Sequence, residues 1–317
     1  MIWNTLRRGV TAALMLAAAS TASLADAPQA KGQAPGWYRM QLGDFEVTAL
    51  NDGTVDLPVD KLLVGPAPTI GELLARAYQK PPVETSVNAY LVNTGRKLVL
   101  IDAGAAGLFG PTLGKVMANL KASGYQPEQV DEIYITHMHP DHVGGLVAGG
   151  RIAFPNAIVR ADTREGGFWL DQATMDKAPA DSKGFFQGAM ASLNPYVTAG
   201  KFKPFDGETE LVPGIRAIPA RGHTPGHTIY AIESQGNRLV VWGDLMHVAA
   251  VQFAMPSVTI QFDSDQQAAA PQREKNYADA AEKGYYVAVA HVAFPGIGRL
   301  RGDGKGYTWV PAIYSNK

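Results

Sequence analysis

The chain has 317 residues, with 28 Lys and Arg against 29 Asp and Glu, so it offers no basic field for nucleic acid or an anionic membrane. Its 46% hydrophobic content with 18% charge is that of a folded chain rather than a disordered one. Seven His and no Cys exclude disulfide frameworks, thiolate metal sites and thiol nucleophiles, and leave His and carboxylates as candidate metal ligands.

In chain order, residues 1–27 read as a secretory signal. Arg7 and Arg8 precede an apolar run over 9–19, and small residues around Ala25 and Ala27 offer cleavage positions. The run is too short for a bilayer span, which takes about 20 apolar residues. The expectation is an exported protein, periplasmic or secreted, free of the membrane after cleavage. A leader over 28–39, with Pro and Gly, feeds one catalytic domain over 40–317. Strands are expected over 45–50, 87–92 and 98–101, the first ended by a turn at Asn51-Asp52-Gly53. Thr69 with Glu72 has the spacing of a capping box and starts a helix that ends before Pro81-Pro82. A second helix is expected over 111–123, with Leu113, Val116, Met117 and Leu120 on one face and Gly124 as its stop. Strands follow over 133–136 and 157–160. The stretch 163–206, rich in Gly, Lys and aromatics, reads as an inserted loop or helical lid. Strands over 215–218, 228–232, 238–242 and 286–290, with a helix over 272–283, complete an alternation that points to an α/β sandwich.

All seven His lie after residue 136. Three fall in His137-Met138-His139-Pro140-Asp141-His142 and two in Gly222-His223-Thr224-Pro225-Gly226-His227; His247 and His291 stand alone. Strands over 132–136, 216–219, 239–242 and 286–290 lead towards His137, His223, Asp244 and His291. That end of the strands is the edge where open α/β sheets place their sites. In extended backbone, residues two apart point the same way. His137 and His139 can therefore hold one ion, and the turn at Pro140 aims Asp141 and His142 at another. His137, His139 and His223 then make one set, Asp141, His142 and His291 the other, and Asp244 can bridge the two. Imidazole with carboxylate suits zinc, the default, and also manganese, cobalt or iron. Two divalent ions about 3.5–4 Å apart would hold a hydroxide between them, its pKa lowered from about 15.7 towards 7.

These motifs, with Gly243-Asp244 and the late His291, resemble the metallo-β-lactamase superfamily. Ile101-Asp102-Ala103-Gly104, Phe109-Gly110-Pro111-Thr112-Leu113, Ala250-Val251-Gln252-Phe253 and Phe294-Pro295-Gly296-Ile297-Gly298 are similar to segments of its methyl parathion hydrolase branch. The resemblance implies an αββα sandwich, a binuclear centre, and an exported homodimer that cleaves esters with aryl leaving groups, organophosphate triesters included. It places the ligands on His137, His139, Asp141, His142, His223, Asp244 and His291. Of the two His in the second motif, the family's ligand is the one before Thr, here His223. His227 is then expected behind the ligands, and so is Asp102, which would orient a ligand His by hydrogen bonding.

The positions matching the branch's aromatic entrance are Phe109, Trp169 and Phe185, flat walls suited to an aryl ring. His247 departs from the pattern, because methyl parathion hydrolase has an apolar residue there. Homoserine-lactone lactonases of the superfamily place a Tyr at this offset, against the substrate carbonyl. An imidazole can polarise a planar carbonyl or protonate a leaving oxygen, with Asp244 sharing the proton handling. With Ile260 and Phe262, His247 makes the pocket small for a bulky triester. The expected small-molecule substrates are therefore aromatic lactones or aryl esters of the dihydrocoumarin type, with organophosphate triesters cleaved as a side reaction. The alternative is a dedicated organophosphate triester hydrolase. A β-lactamase or a glyoxalase II-like thioesterase would need cationic contacts to substrate carboxylates, for which Lys and Arg over 299–305 are the candidates. A non-catalytic metal-binding protein would keep the ligands and lose turnover.

Overall fold

Leu98, Val99, Leu100 and Ile101 are all buried, and they alternate between two different cores. Val99 and Ile101 pack with Tyr230, Ile232, Leu239 and Val241 of another sheet. Leu98 and Leu100 pack with Val116, Leu120, Phe186 and Leu193, which lie on helices. A strand that is apolar on both faces belongs to a covered sheet, and here one face meets a second sheet and the other meets helices. The second sheet repeats the arrangement. Its Ile229, Ala231, Val240 and Val287 face Tyr277 and Ala280 of the helix Gln266–Lys283. The layers are helix, sheet, sheet, helix, the αββα sandwich that the resemblance implies.

The computed structural model describes residues 27–315. The expected signal, apart from Ala27, lies outside the described residues. Residues 27–34 are exposed and carry no helix or strand. The compact unit that holds both sheets starts at Pro35, and its first strand, Trp37–Leu42, begins inside the expected leader. The first sheet runs Trp37–Leu42, Phe45–Leu57, Val83–Asn93, Leu98–Ile101, Glu132–Tyr134, Ile158–Arg160 in spatial order. The second runs Thr209–Val212, Ile215–Pro219, Thr228–Ser234, Asn237–Val241, Tyr286–Ala288, Ile297–Gly302, Tyr307–Pro311. Tyr134 and Tyr230 stack across the two sheets with centroids 5.5 Å apart, and the Tyr230 hydroxyl donates to Ile135 O at 2.7 Å.

Several local expectations are corrected. Asn51-Asp52-Gly53 is a bulge inside the continuous strand Phe45–Leu57, not a turn. Gly53 absorbs the extra residue at φ +130°. The Asp52 carboxylate, which suggested a turn, instead accepts Ala105 N at 2.9 Å and Val116 N at 3.0 Å. That second bond lies at the start of the helix Val116–Ala122, five residues after the expected one. No capping box forms at Thr69; the helix Ala67–Arg76 starts two residues earlier, after Pro66, with Pro68 in its first turn. The helix Gln266–Lys283 starts six residues before the expected point because Asp265 caps it, accepting Ala268 N at 3.0 Å. Of the two expectations for 163–206, loop or helical insertion, the structure has the helical one. The stretch holds the helices Thr163–Trp169, Gln172–Lys177 and Lys183–Thr198, and the last buries Phe186, Ala189, Leu193 and Tyr196 in the first core.

Candidate metal centre

Two parallel pairings bring chain ends together. Leu98–Ile101 runs parallel to Glu132–Tyr134, and Asn237–Val241 runs parallel to Tyr286–Ala288. The C-terminal ends of these four strands release Asp102, His137, Asp244 and His291. Thr228–Ser234 is antiparallel to Asn237–Val241, so the loop that enters it, with His223 and His227, arrives at the same edge. Pro140 opens the short helix Pro140–Val143, which carries Asp141 and His142.

The side chains converge as two sets. His223 Nε2 lies 3.2 Å from His137 Nε2 and 3.1 Å from His139 Nδ1. His142 Nε2 and His291 Nε2 lie 3.5 and 3.6 Å from Asp141 Oδ2. Asp244 stands between the sets. Its Oδ1 is 3.1 Å from both His142 Nε2 and His291 Nε2. Its Oδ2 is 3.6 Å from His137 Nε2 and 3.4 Å from His223 Nε2. A tetrahedral ion with bonds of about 2.0–2.1 Å holds its ligand atoms about 3.4 Å apart. The separations in both sets, 3.1 to 3.6 Å, fit such ligand spacing, so His137, His139, His223 and Asp244 would hold one ion and Asp141, His142 and His291 another.

The chemistry of the donors fits divalent cations. Burial, and then the neighbouring imidazoles, hold His137 and His139 well below the usual His range, so their rings are neutral. With Nδ1 of His223 turned to Asp263, its Nε2 faces His137 and His139 as a lone-pair donor. His142 Nε2 and Asp244 Oδ1 are buried and make no hydrogen bond. Burial opposes a charge on His142, yet Asp244, Asp141 and Asp102 outweigh it and push the ring well above its usual range. The potential that holds a proton there equally favours a metal ion. Burial also opposes ionising Asp244, and His291, His142, His247 and His137 overcome it.

Three ligand rings, those of His142, His223 and His291, are braced from behind, which sets their tautomer and orientation. Asp102 leaves its strand in the left-handed region at φ +59°, a conformation that Asp tolerates better than most residues. Its Oδ1 accepts Thr136 N at 2.8 Å, and its Oδ2 accepts Thr136 Oγ1 and lies against His142 Nδ1, both at 2.8 Å. Asp263 Oδ1 braces His223 Nδ1 at 2.8 Å, and Arg273 stands 3.7 Å from its other oxygen. His291 Nδ1 pairs with Ser86 O at 3.0 Å. His227 lies between Ala220 O, 3.0 Å from Nδ1, and Asp244 N, which donates to Nε2 at 3.1 Å. It thus fixes the backbone of Asp244. Asp263, Arg273 and Ser86 were not singled out by sequence reasoning. Asp263 directly follows Phe262, but one carboxylate without a spaced partner gives no motif.

A chamber of about 80 Å³ opens onto His139, Asp141, Asp244 and His291. Its walls are Phe109, Phe185, Phe262, Val55, Leu57 and Leu113, with His247 at one side. Phe185 packs 4.8 Å from His139, and Phe262 lies 6.2 Å from His247. His247 Nε2 is 2.9 Å from Asp244 Oδ2, and its ring stacks on His291 at 5.3 Å. Gln252 Oε1 takes the backbone N–H of His247 at 2.7 Å and so holds it in place. Two expected lining residues are elsewhere. Trp169 is 5% exposed and packs under His139 with centroids 5.1 Å apart, because its helix turns the indole into the first core. Ile260 is completely buried in a separate cluster with Val59 and Leu63, since its strand pairs with Leu63–Val64 and turns the side chain from the chamber.

Residues 82–283 match the sequence profile of the Metallo-beta-lactamase superfamily. The solved structure of AbOPH, a hydrolase in the β-lactamase superfamily, is 40% identical, with a TM-score of 0.85 over 90% of this chain and 100% of that one. AidC, a dizinc quorum-quenching lactonase solved with a product, N-hexanoyl-L-homoserine, is 25% identical, with a TM-score of 0.80 over 89% of this chain and 99% of that one. An N-acyl homoserine lactonase of Bacillus sp is 28% identical over 53% of this chain; the match spans 62% of that lactonase, less than two thirds of its length.

Proposed function

The chain belongs to the metallo-β-lactamase superfamily, and on that premise we propose that it is a metal-dependent hydrolase of carboxylic esters and lactones, with zinc as the first candidate metal. The observation that carries the reading is the division of Asp244. Its Oδ1 lies 3.1 Å from His142 Nε2, its Oδ2 lies 3.4 and 3.6 Å from His223 and His137 Nε2, and His291 Nε2 stands within reach of both oxygens, at 3.1 and 3.2 Å. Divalent ions at such a centre supply Lewis acidity toward a carbonyl or phosphoryl oxygen and a nucleophile at neutral pH without Ser or Cys.

The chain's own groups do the rest. Phe109, Phe185 and Phe262 offer faces against which an aryl or aliphatic group leaves water. The imidazole of His247, whose backbone N–H is held by Gln252, can donate to a carbonyl oxygen as charge grows on it, or pass a proton to the leaving oxygen. His247 sets an imidazole beside Asp244 among three Phe rings, a surrounding suited to a planar carbonyl with an aryl or acyl group. We therefore place aromatic lactones and aryl esters of the dihydrocoumarin type first, and phosphotriesters of the methyl parathion hydrolase type second. The likeness to AidC and the Bacillus lactonase supports the lactone preference and adds N-acyl homoserine lactones to the candidates.

The test compares kcat/KM on dihydrocoumarin, N-hexanoyl-homoserine lactone and methyl paraoxon, for the wild type and His247→Leu. The wild type is expected to prefer a lactone, and the variant to lose at least tenfold on it while holding or gaining on the triester. A wild type faster on methyl paraoxon, or a variant with unchanged preference, would reject the order of substrates. No turnover of any of the three in metal-replete protein would reject the function.

A further inference from the structure

Glu165 belongs to none of the motifs read from the sequence, lies in the first turn of Thr163–Trp169, and is completely buried. Its Oε1 accepts Met138 N at 2.9 Å, an N–H that sits between His137 and His139. Its Oε2 accepts Thr224 Oγ1 at 2.9 Å and Gly226 N at 2.8 Å, on the loop that carries His223. The helix itself presses on that loop, because a Cβ on Gly226 would fall 2.5 Å from Glu165 N. One rigid carboxylate therefore touches both loops that bear the three-histidine set, without touching a ligand ring. Its hydrogen-bond partners are two backbone N–H groups and a hydroxyl, with no Lys or Arg among them.

A buried carboxylate without a cation is an unfavourable way to fill a core. Burial raises the pKa of Glu165 to about 6, so at neutral pH it is ionised against that resistance. Groups that break local rules in this way cluster where function requires them. We infer that Glu165 is a positioning residue, which fixes the loop at 137–142 against the loop at 222–227 and so sets the spacing of His137, His139 and His223. The inference rests on the metal-dependent reading above and extends it to a residue that is not a ligand.

The experiment strips the full-length protein with a chelator and titrates it with Co(II) and Zn(II) against a competing chromophoric chelator. The wild type is compared with Glu165→Gln and Glu165→Asp. Gln keeps the shape but turns an NH2 towards a donor on one of the loops. The wild type is expected to bind two ions. In Glu165→Gln the ion at the three-histidine set should bind at least tenfold more weakly with an altered Co(II) absorption spectrum, the other ion should bind normally, and the metal-free protein should melt within a few degrees of the wild type. Wild-type affinity and spectrum in Glu165→Gln would overturn the inference. So would a metal loss matched by collapse of the metal-free fold, which would make the residue merely structural. If Glu165→Gln does not fold, Thr224→Val removes one donor, and unchanged affinity in that variant would overturn the inference as well. A wild type that binds no metal would overturn the metal-dependent reading itself.

Discussion

The carboxylate of Asp263 stands 2.8 Å from His223 Nδ1, the same separation that Asp102 keeps from His142 Nδ1. One ring in each set is thus backed by a buried carboxylate. The pair raises ligand basicity on both sides of Asp244 and holds each Nε2 free for a metal.

Asp263→Ala and Asp102→Ala should each lower metal affinity by about 10–100-fold, the usual effect of losing such a partner. Each should act mainly on the ion held by its own His. Metal per chain after dialysis against graded chelator measures this. Equal loss of both ions in each variant would contradict the assignment.

Dialysis to the metal-free state should abolish ester hydrolysis, and added Zn(II), Mn(II) or Co(II) should restore it. Asp244→Ala should not recover, because both sets lose their shared oxygen donor. Initial rates with a p-nitrophenyl ester, before and after readdition, give the readout.

Glu165 predicts a pH dependence for the metal-free protein. Its pKa is about 6 in the folded chain against 4.5 as a free side chain. The folded state therefore binds the proton more tightly, so the favourable contribution is full below pH 4.5 and is lost as pH rises through 6. The loss amounts to about 2 kcal/mol. Denaturant unfolding of wild type and Glu165→Gln at pH 4, 5, 6 and 7 isolates it, since other groups cancel in the difference. A difference that stays flat across that window would exclude the shift.

Trp169 and Phe109 should behave oppositely. Trp169→Ala empties a packed site and should destabilise by about 3–5 kcal/mol. Phe109 is 39% exposed at the chamber wall. Phe109→Ala should leave the melting temperature nearly unchanged and raise KM for aryl esters several-fold. Thermal melts with Michaelis profiles on both variants decide it.

The ligand set could be read from sequence because its order is local: His137, His139, Asp141 and His142 sit in one short window, and strand ends carry the others. The two-layered burial of Leu98–Ile101 was equally readable, as an uninterrupted apolar run. Asp263 and Glu165 could not be found that way. Each is a single carboxylate whose partners are 40 and 27–61 residues away in the chain. Asn51-Asp52-Gly53 has turn composition, but pairing with Val83–Asn93 outweighs it and turns Asp52 into an anchor for a loop and a helix. Trp169 was read as an entrance residue from its match to the branch's aromatic entrance, whereas the turn of its helix decides which way it faces.

The parallel pairing of Asn237–Val241 with Tyr286–Ala288 has a consequence for biogenesis. His291 must settle beside Asp141 and His142, which are synthesised 150 and 149 positions earlier. A polypeptide that ends before His291 lacks a donor of the second set while keeping every residue of the three-histidine set, so only the first set can be complete before Tyr286–Ala288 pairs. Once loaded, the ions draw the equilibrium toward the native state by mass action. Their abundance in a preparation then counts the correctly finished molecules.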